Sequence, residues 1–286
     1  MSIALRFALA AALSTSLPGF AVAEQAQARA VDAPYASNTS IKCEVGEIPD
    51  TSIRRLAHCD SARFVSFSDG APERDIVRFE IRPEDEKISN GNRAELRDMH
   101  EAVNGQEVWY RLSTMLPEDF PIDATHRLVL AQWHERLPEG TPSLRPPLSH
   151  RLWNGRFVIT LWNQDIIDAR GRKGDGEILF DLPELERGMF HDFVYRVIWS
   201  TGEKGRILGW KRTCPAPGDD CDGAEWKRIV DFNGPTGYDQ AIGYYFKYGL
   251  YTVSEFDATF TAYHRDARIG ATPEEIGADP VKGTIQ

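Results

Sequence analysis

The sequence predicts an all-β fold, an antiparallel sandwich of the jelly-roll type. Three observations carry this. From residue 60 onward, short alternating or β-branched runs are broken at regular intervals by turn residues. No segment sustains a helical period. Asn154-Gly155 and Asn104-Gly105 stand between apolar runs, where tight hairpin turns need residues that tolerate positive φ.

In chain order, strands are expected over 63–68, 75–81, 93–98 and 107–116. A loop follows at 117–124, then a strand over 128–135. Residues 137–147 hold four prolines, too stiff for a sheet interior and suited to wall a cleft. The runs 148–153 and 156–162 flank Asn154-Gly155 as a hairpin. A charged glycine loop is expected at 171–176. Further strands are read at 191–200, 205–212, 225–232, 244–253 and 258–269, with a helical turn at 273–276.

The chain has 286 residues and a formal net charge of −10. Its first 23 residues have the form of a secretory signal: Arg6, the apolar run 7–13, then Ala21-Val22-Ala23 as a small-x-small cleavage site. The apolar run is too short to span a bilayer. Cleavage before Glu24 would remove one positive charge and leave an acidic, exported protein, in the bacterial periplasm or outside the cell. Residues 24–45 read as a flexible lead-in, and 46–286 as a single domain. The acidic balance argues against nucleic acid, and nothing after the signal is apolar enough for a membrane helix. The expectation is a monomer. An acidic substrate would need a local basic cleft, because the global field repels it.

There are four cysteines, Cys43, Cys59, Cys214 and Cys221. An even count in an exported chain suggests two disulfides. Three pairings are open; the local one, Cys43 with Cys59 and Cys214 with Cys221, is the expectation. Zinc is disfavoured, because no Cys-x-x-Cys and no suitably spaced His exist.

Three strands carry polar groups at two-residue spacing, which puts them on one face. In Arg93-Ala94-Glu95-Leu96-Arg97 two guanidinium groups flank a carboxylate, so Glu95 is placed to orient an arginine for bidentate capture of a carboxylate. An exposed ion-pair ladder is the plainer reading of that motif alone. In Gln132-Trp133-His134 an amide and an imidazole share a face at the end of an apolar strand. In 245–251 the residues Tyr245, Lys247, Gly249 and Tyr251 share a face, and Phe246, Tyr248 and Leu250 face the core. Gly249 would leave space for a ligand to approach the backbone.

Each motif alone is weak, but together and in this order they resemble the jelly-roll polysaccharide lyases. Alginate lyases of that kind carry an Arg-x-Glu-Leu-Arg strand, a Gln-[Ile/Val]-His strand and a Tyr-Phe-Lys-x-Gly-x-Tyr strand. The departures, Ala94 and Trp133, fall on the core-facing side. The segment Glu107-Val-Trp-Tyr-Arg-Leu-Ser, then Leu116-Pro-Glu-Asp-Phe, and Phe193-Val-Tyr-Arg-Val-Ile-Trp-Ser are similar to the glucuronan-lyase and heparin-lyase-like branch. The resemblance covers about residues 60–265 and implies a concanavalin-like jelly roll.

It also implies β-elimination on a uronic-acid polymer such as glucuronan or alginate. Arg93 and Gln132 would stabilise the enolate-like carboxylate, with His134 as a further donor. Tyr251 and His134 are the candidates for base and acid. In glucuronate and mannuronate the C5 hydrogen and O4 lie on one face, and Tyr251 could serve both steps if Lys247 or Arg93 lowered its pKa. In guluronate and iduronate they lie on opposite faces, and His134 would be the base and Tyr251 the acid. The resemblance leans towards Tyr251 in the main role, with Lys247 binding substrate or tuning it. Arg97, Tyr245 and Arg151 would line neighbouring subsites. The mechanism requires no cofactor. A structural calcium occurs in such folds, but no acidic loop here has clear ligand spacing, so no metal ligand is assigned. The Glu-x-Asp-x-x-Glu pattern of laminarinase-like hydrolases is absent, and Asp75 and Glu80 cannot share a strand face. The rival reading is a non-catalytic carbohydrate-binding jelly roll.

Overall fold

The computed structural model describes residues 53–57, 65–68, 75–88, 90–122, 127–171, 176–214, 221 and 224–277. The expected signal peptide, the lead-in and the Cys43–Cys59 pair lie outside the described residues.

Among the described residues fourteen strands form two seven-stranded sheets, and every pairing is antiparallel. One sheet runs β1 (Ile53–Ala57), β4 (Asn92–Ala102), β13 (Gly243–Thr252), β6 (Arg127–Arg136), β7 (Leu148–Trp153), β8 (Arg156–Leu161), β9 (Glu177–Leu182). The other runs β12 (Lys227–Asn233), β11 (Arg206–Thr213), β10 (His191–Ile198), β5 (Glu107–Met115), β14 (Phe260–Gly270), β3 (Asp75–Ile81), β2 (Val65–Ser68). This is the predicted all-β sandwich. Half of the twelve strand pairs join strands that are not consecutive in sequence, and β13 lies between β4 and β6.

Alternation explains the core. Phe246, Tyr248 and Leu250 of β13, Ala94 and Leu96 of β4, and Trp133 of β6 turn inward. They meet Tyr110 and Leu112 of β5 and Phe193, Tyr195 and Val197 of β10. Trp133, between the sheets, has its ring centre 4.7 Å from Phe246, 5.2 Å from Tyr195 and 5.5 Å from Tyr110. At the β7–β8 hairpin Asn154 and Gly155 have φ of 51° and 74°, as a type I′ turn demands.

Three elements were missed by periodicity. β1 and β9 are short, and β9 is half exposed at the sheet edge. The third is the seven-residue helix α1 (Gln164–Arg170), too short to show a sustained helical period. Its signals are all at its ends: Asn163 caps by accepting a hydrogen bond from Ile166 N, Asp165 sits in the first turn, and Gly171 follows at φ 65°. The turn expected near 273–276 is present, closed by Gly277 N donating to Glu274 O.

Cys214 and Cys221 form the expected disulfide. Asp192 lies beside the two sulfurs, but sulfurs bonded to each other are poor metal ligands.

The core also holds histidines. Burial, helped by the proximity of His264, pushes the His150 pKa down to about 3. Burial pushes His264 down to about 3, against hydrogen bonds to the backbone of Gly249 and Ser113 that raise it. Both fold as neutral rings, so the unfolded chain binds protons the native state refuses, and stability falls as pH drops below about 6.5. At pH 5 each histidine removes about 2 kcal/mol. We expect the melting temperature to fall by several degrees between pH 7 and pH 5, before the carboxylates titrate. A flat melting temperature across that window would refute this account.

Candidate active site

Strand order brings the three motifs together. On β13, Tyr251 pairs with Arg93, Gly249 with Glu95 and Lys247 with Arg97 of β4. On its other edge Lys247 pairs with Gln132 and Tyr245 with His134 of β6. Adjacent strands stand about 4.8 Å apart, so the motifs form one patch.

At its centre is Glu95, 2 % exposed. Its carboxylate accepts from Gln132 Nε2 at 2.5 Å and lies 3.1 Å from Lys247 Nζ and 3.5 Å from Arg93. To reach Gln132 it crosses β13, which lies between β4 and β6. A Cβ at Gly249 would lie 2.1 Å from Ala94 O and 2.9 Å from Glu95 Cα, and its φ is 138°. That space is closed by the β4 backbone and by Phe79, which corrects the expectation that Gly249 opens the backbone to a ligand. Burial pushes the Glu95 pKa up, but Lys247, Arg93 and the Gln132 hydrogen bond outweigh it and hold the carboxyl below its usual range. An ionised Glu95 accepts only, so the amide nitrogen of Gln132 must face it, which leaves one Gln132 N–H for a ligand.

The structure separates the predicted site residues into two groups. Arg93, Gln132, His134, Tyr251 and Arg151 line a cleft of about 540 Å³. Lys247, Arg97 and Tyr245 do not line it. Lys247 is buried with its amine on Glu95, and burial lowers its pKa despite that partner. Arg97 ion-pairs with Glu101 at 3.0 Å, and its guanidinium carbon lies 3.6 Å from the Tyr245 ring centre. Tyr245 stacks in turn on His134, with centres 5.6 Å apart and planes 8° apart. These residues hold the site from beneath and behind, where subsite contacts had been expected.

Arg93 lies across the face of Tyr251, its guanidinium carbon 4.2 Å from the ring centre. Its Nε is buried without a hydrogen-bond partner among the described residues. Tyr251 Oη faces Asn90 Oδ1 at 3.5 Å. Burial raises the Tyr251 pKa by more than the neighbouring Arg93 lowers it, so these residues alone do not meet the condition for Tyr251 to act as base. Tyr251 therefore keeps its phenol proton at neutral pH. His134 Nδ1 lies 3.1 Å from Glu135 Oε2 and 3.2 Å from Glu135 O. A proton held there leaves Nε2 as the free lone pair.

Sequence reading missed Asn90, Arg127 and Arg145 in the cleft wall. Arg127 is seven residues from His134, so simple alternation puts it on the opposite face. A β-bulge reverses the parity: Val129 pairs with Arg151 and Ala131 with His150, two residues against one. The proline-rich loop contributes Ser143, Leu144, Arg145 and Pro146, as its stiffness suggested, and α1 contributes Ile167.

A family model described as polysaccharide lyase matches residues 64–268. The chain belongs to that family and is a polysaccharide lyase. Its fold is similar to that of an endo-β-1,4-glucuronan lyase from the fungus Trichoderma reesei, at TM-score 0.55 and 15 % identity over 76 % of this chain and 89 % of that one. A family 7 alginate lyase, A1-II′, aligns at TM-score 0.47 and 15 % identity over 73 % of this chain and 83 % of that one. No curated protein sequence matches the chain.

Glu95→Gln should destabilise the fold by about 3–5 kcal/mol, because it strands a buried lysine. Adding Lys247→Met should recover most of that loss. Denaturant melts of the single and double variants measure the coupling, and simple additivity would contradict the bridge described here.

Proposed function

We propose that the protein is an exported lyase that cleaves a uronic-acid polymer by β-elimination. One observation carries this reading. Among the described residues the cleft lining holds four arginines (Arg93, Arg127, Arg145 and Arg151) and no carboxylate, in a chain of net charge −10. The basic charge is local and concave, as a polyanion requires. The same lining disfavours glycoside hydrolysis, which needs two carboxyl groups at the bond. Export is supported by the signal-like start and by the Cys214–Cys221 disulfide.

The uronate carboxylate is held by Arg93 and by the remaining Gln132 N–H. Charge that develops there as the C5 proton leaves is stabilised by groups already in place, since Glu95 fixes Gln132 and Arg93 is braced on Tyr251. The C5–H electrons form the C4–C5 double bond, the C4–O bond breaks, and the leaving oxygen takes a proton. Tyr251, a protonated phenol, supplies that proton in either stereochemical scheme.

The base depends on the polymer. On glucuronan or polymannuronate, Tyr251 must first lose its phenol proton to solvent with the Arg93 guanidinium assisting, then takes the C5 proton and returns it to the leaving oxygen. A second reading is favoured by the raised Tyr251 pKa and by Glu135 beside His134 Nδ1. In it, His134 Nε2 removes the proton and Tyr251 acts only as acid, as guluronate or iduronate would require.

The test is ultraviolet absorbance of unsaturated uronate ends, with glucuronan, polymannuronate, polyguluronate and heparan-type chains offered separately. Growth of signal is expected on at least one. Tyr251→Phe should lower turnover by about 10²–10⁴-fold while polymer binding persists. Preference for glucuronan or polymannuronate would support Tyr251 as both base and acid, and preference for polyguluronate would support the His134 scheme. Folded protein that binds polymer tightly and yields no unsaturated product would overturn the lyase reading in favour of a binding module.

A further inference from the structure

The cleft contains a cation that the elimination chemistry does not use. Arg151 is 3 % exposed, and its Nε donates to Ser149 Oγ at 2.7 Å. Among the described residues no carboxylate is ion-paired with it. The other buried arginines differ: Arg97 has Glu101, Arg111 and Arg212 have Asp192, and Arg265 has Asp266. A guanidinium taken out of water without an anion is costly, and a fold that retains one beside a ligand cleft leaves the anion to be supplied by the ligand.

Register gives its place. Arg151 pairs with Val129, Val129 with Tyr251, and Tyr251 with Arg93. The two arginines therefore end one row across four adjacent strands. Three strand spacings put their backbones about 14 Å apart. A pyranose unit advances a polysaccharide by about one strand spacing, so the row spans roughly three sugar units. Arg145 lines the cleft from the proline-rich loop, also without a carboxylate partner among the described residues.

We propose that Arg151, assisted by Arg145, is a second carboxylate seat, which binds a uronate roughly three units along the chain from the one held by Arg93. The inference rests on the uronate-lyase reading and narrows it. The substrate is a run of contiguous uronates, with the chain lying across the strands. A polymer in which neutral sugars fall at the Arg151 position would lose that contact and leave the buried charge unpaired.

The test uses the full-length protein, a ladder of size-defined oligouronates from the preferred polymer, and the variants Arg151→Gln and Arg145→Gln. The quantity read is the ratio of kcat/KM on long oligomers to that on the shortest one cleaved. Arg151→Gln should reduce this ratio by at least about tenfold, through KM, because a charge-paired contact is lost only where the oligomer reaches it. Arg145→Gln should reduce it in the same direction by less. An equal loss at every length, or no loss, would overturn the seat. If Arg151→Gln fails to fold by thermal melting, Arg145→Gln on its loop decides by the same ratio. If the wild type turns over no polyuronate, the parent reading fails, and calorimetric titration with polyuronate still reads the seat. Weaker binding by Arg151→Gln would support it, and unchanged binding would overturn it.

Discussion

The buried carboxylate of Glu95 is the interaction on which the rest of the site depends. It sits on β4 and reaches across β13 to the amide of Gln132 on β6, with Lys247 as its close counter-ion. Gly249 of β13, paired with Glu95, has no side chain. That lack allows Ala94 O to approach where a Cβ would stand. Three strands thus share one charge. Removing either partner leaves an unpaired ion in a dry site, which costs far more than the pair gains.

The sheet itself supplies the second constraint. The stretch between the Gln132 row and the Tyr251 row takes three residues in β7, four in β6 and five in β13. The sheet therefore fans, and each step in the count is a bulge that bends and twists it. The bulge in β6 turns Val129 and Arg127 onto the face that already carries Gln132 and His134. Without it Arg127 would point into the aromatic core around Trp133. Fanning also accounts for a cleft that runs across strands, because the rows diverge while the strands stay paired.

Charge separates the site from the surface. The molecule as a whole repels polyanions, while the cleft presents guanidinium groups whose carboxylate partners, where they have them, lie beneath the surface. Lys247 and Arg97 illustrate the division of labour. Both belong to the motifs that mark the family, and both are spent inside the protein. Lys247 neutralises Glu95, and Arg97 braces Tyr245, which in turn sets the plane of His134. An arginine or lysine at a polar strand face is as often a support as a contact.

Much of this was legible in the chain. Alternation named the sandwich and separated Phe246, Tyr248 and Leu250 from Tyr245, Lys247 and Tyr251, because strand side chains alternate whatever the fold. Asn154-Gly155 fixed a hairpin through local φ preferences. The three polar strands named Arg93, Gln132, His134 and Tyr251, because a shared face follows from two-residue spacing alone. The helix α1 was hidden by its brevity, since seven residues show no period. What only the tertiary structure decided was adjacency and parity. Strands about 110 to 160 residues apart became neighbours at the site, Arg127 was turned by a bulge, and the ring of Tyr251 was buried enough to keep its proton. Those outcomes depend on which backbones pair and how far the sheet twists, and a one-dimensional pattern of side chains carries neither.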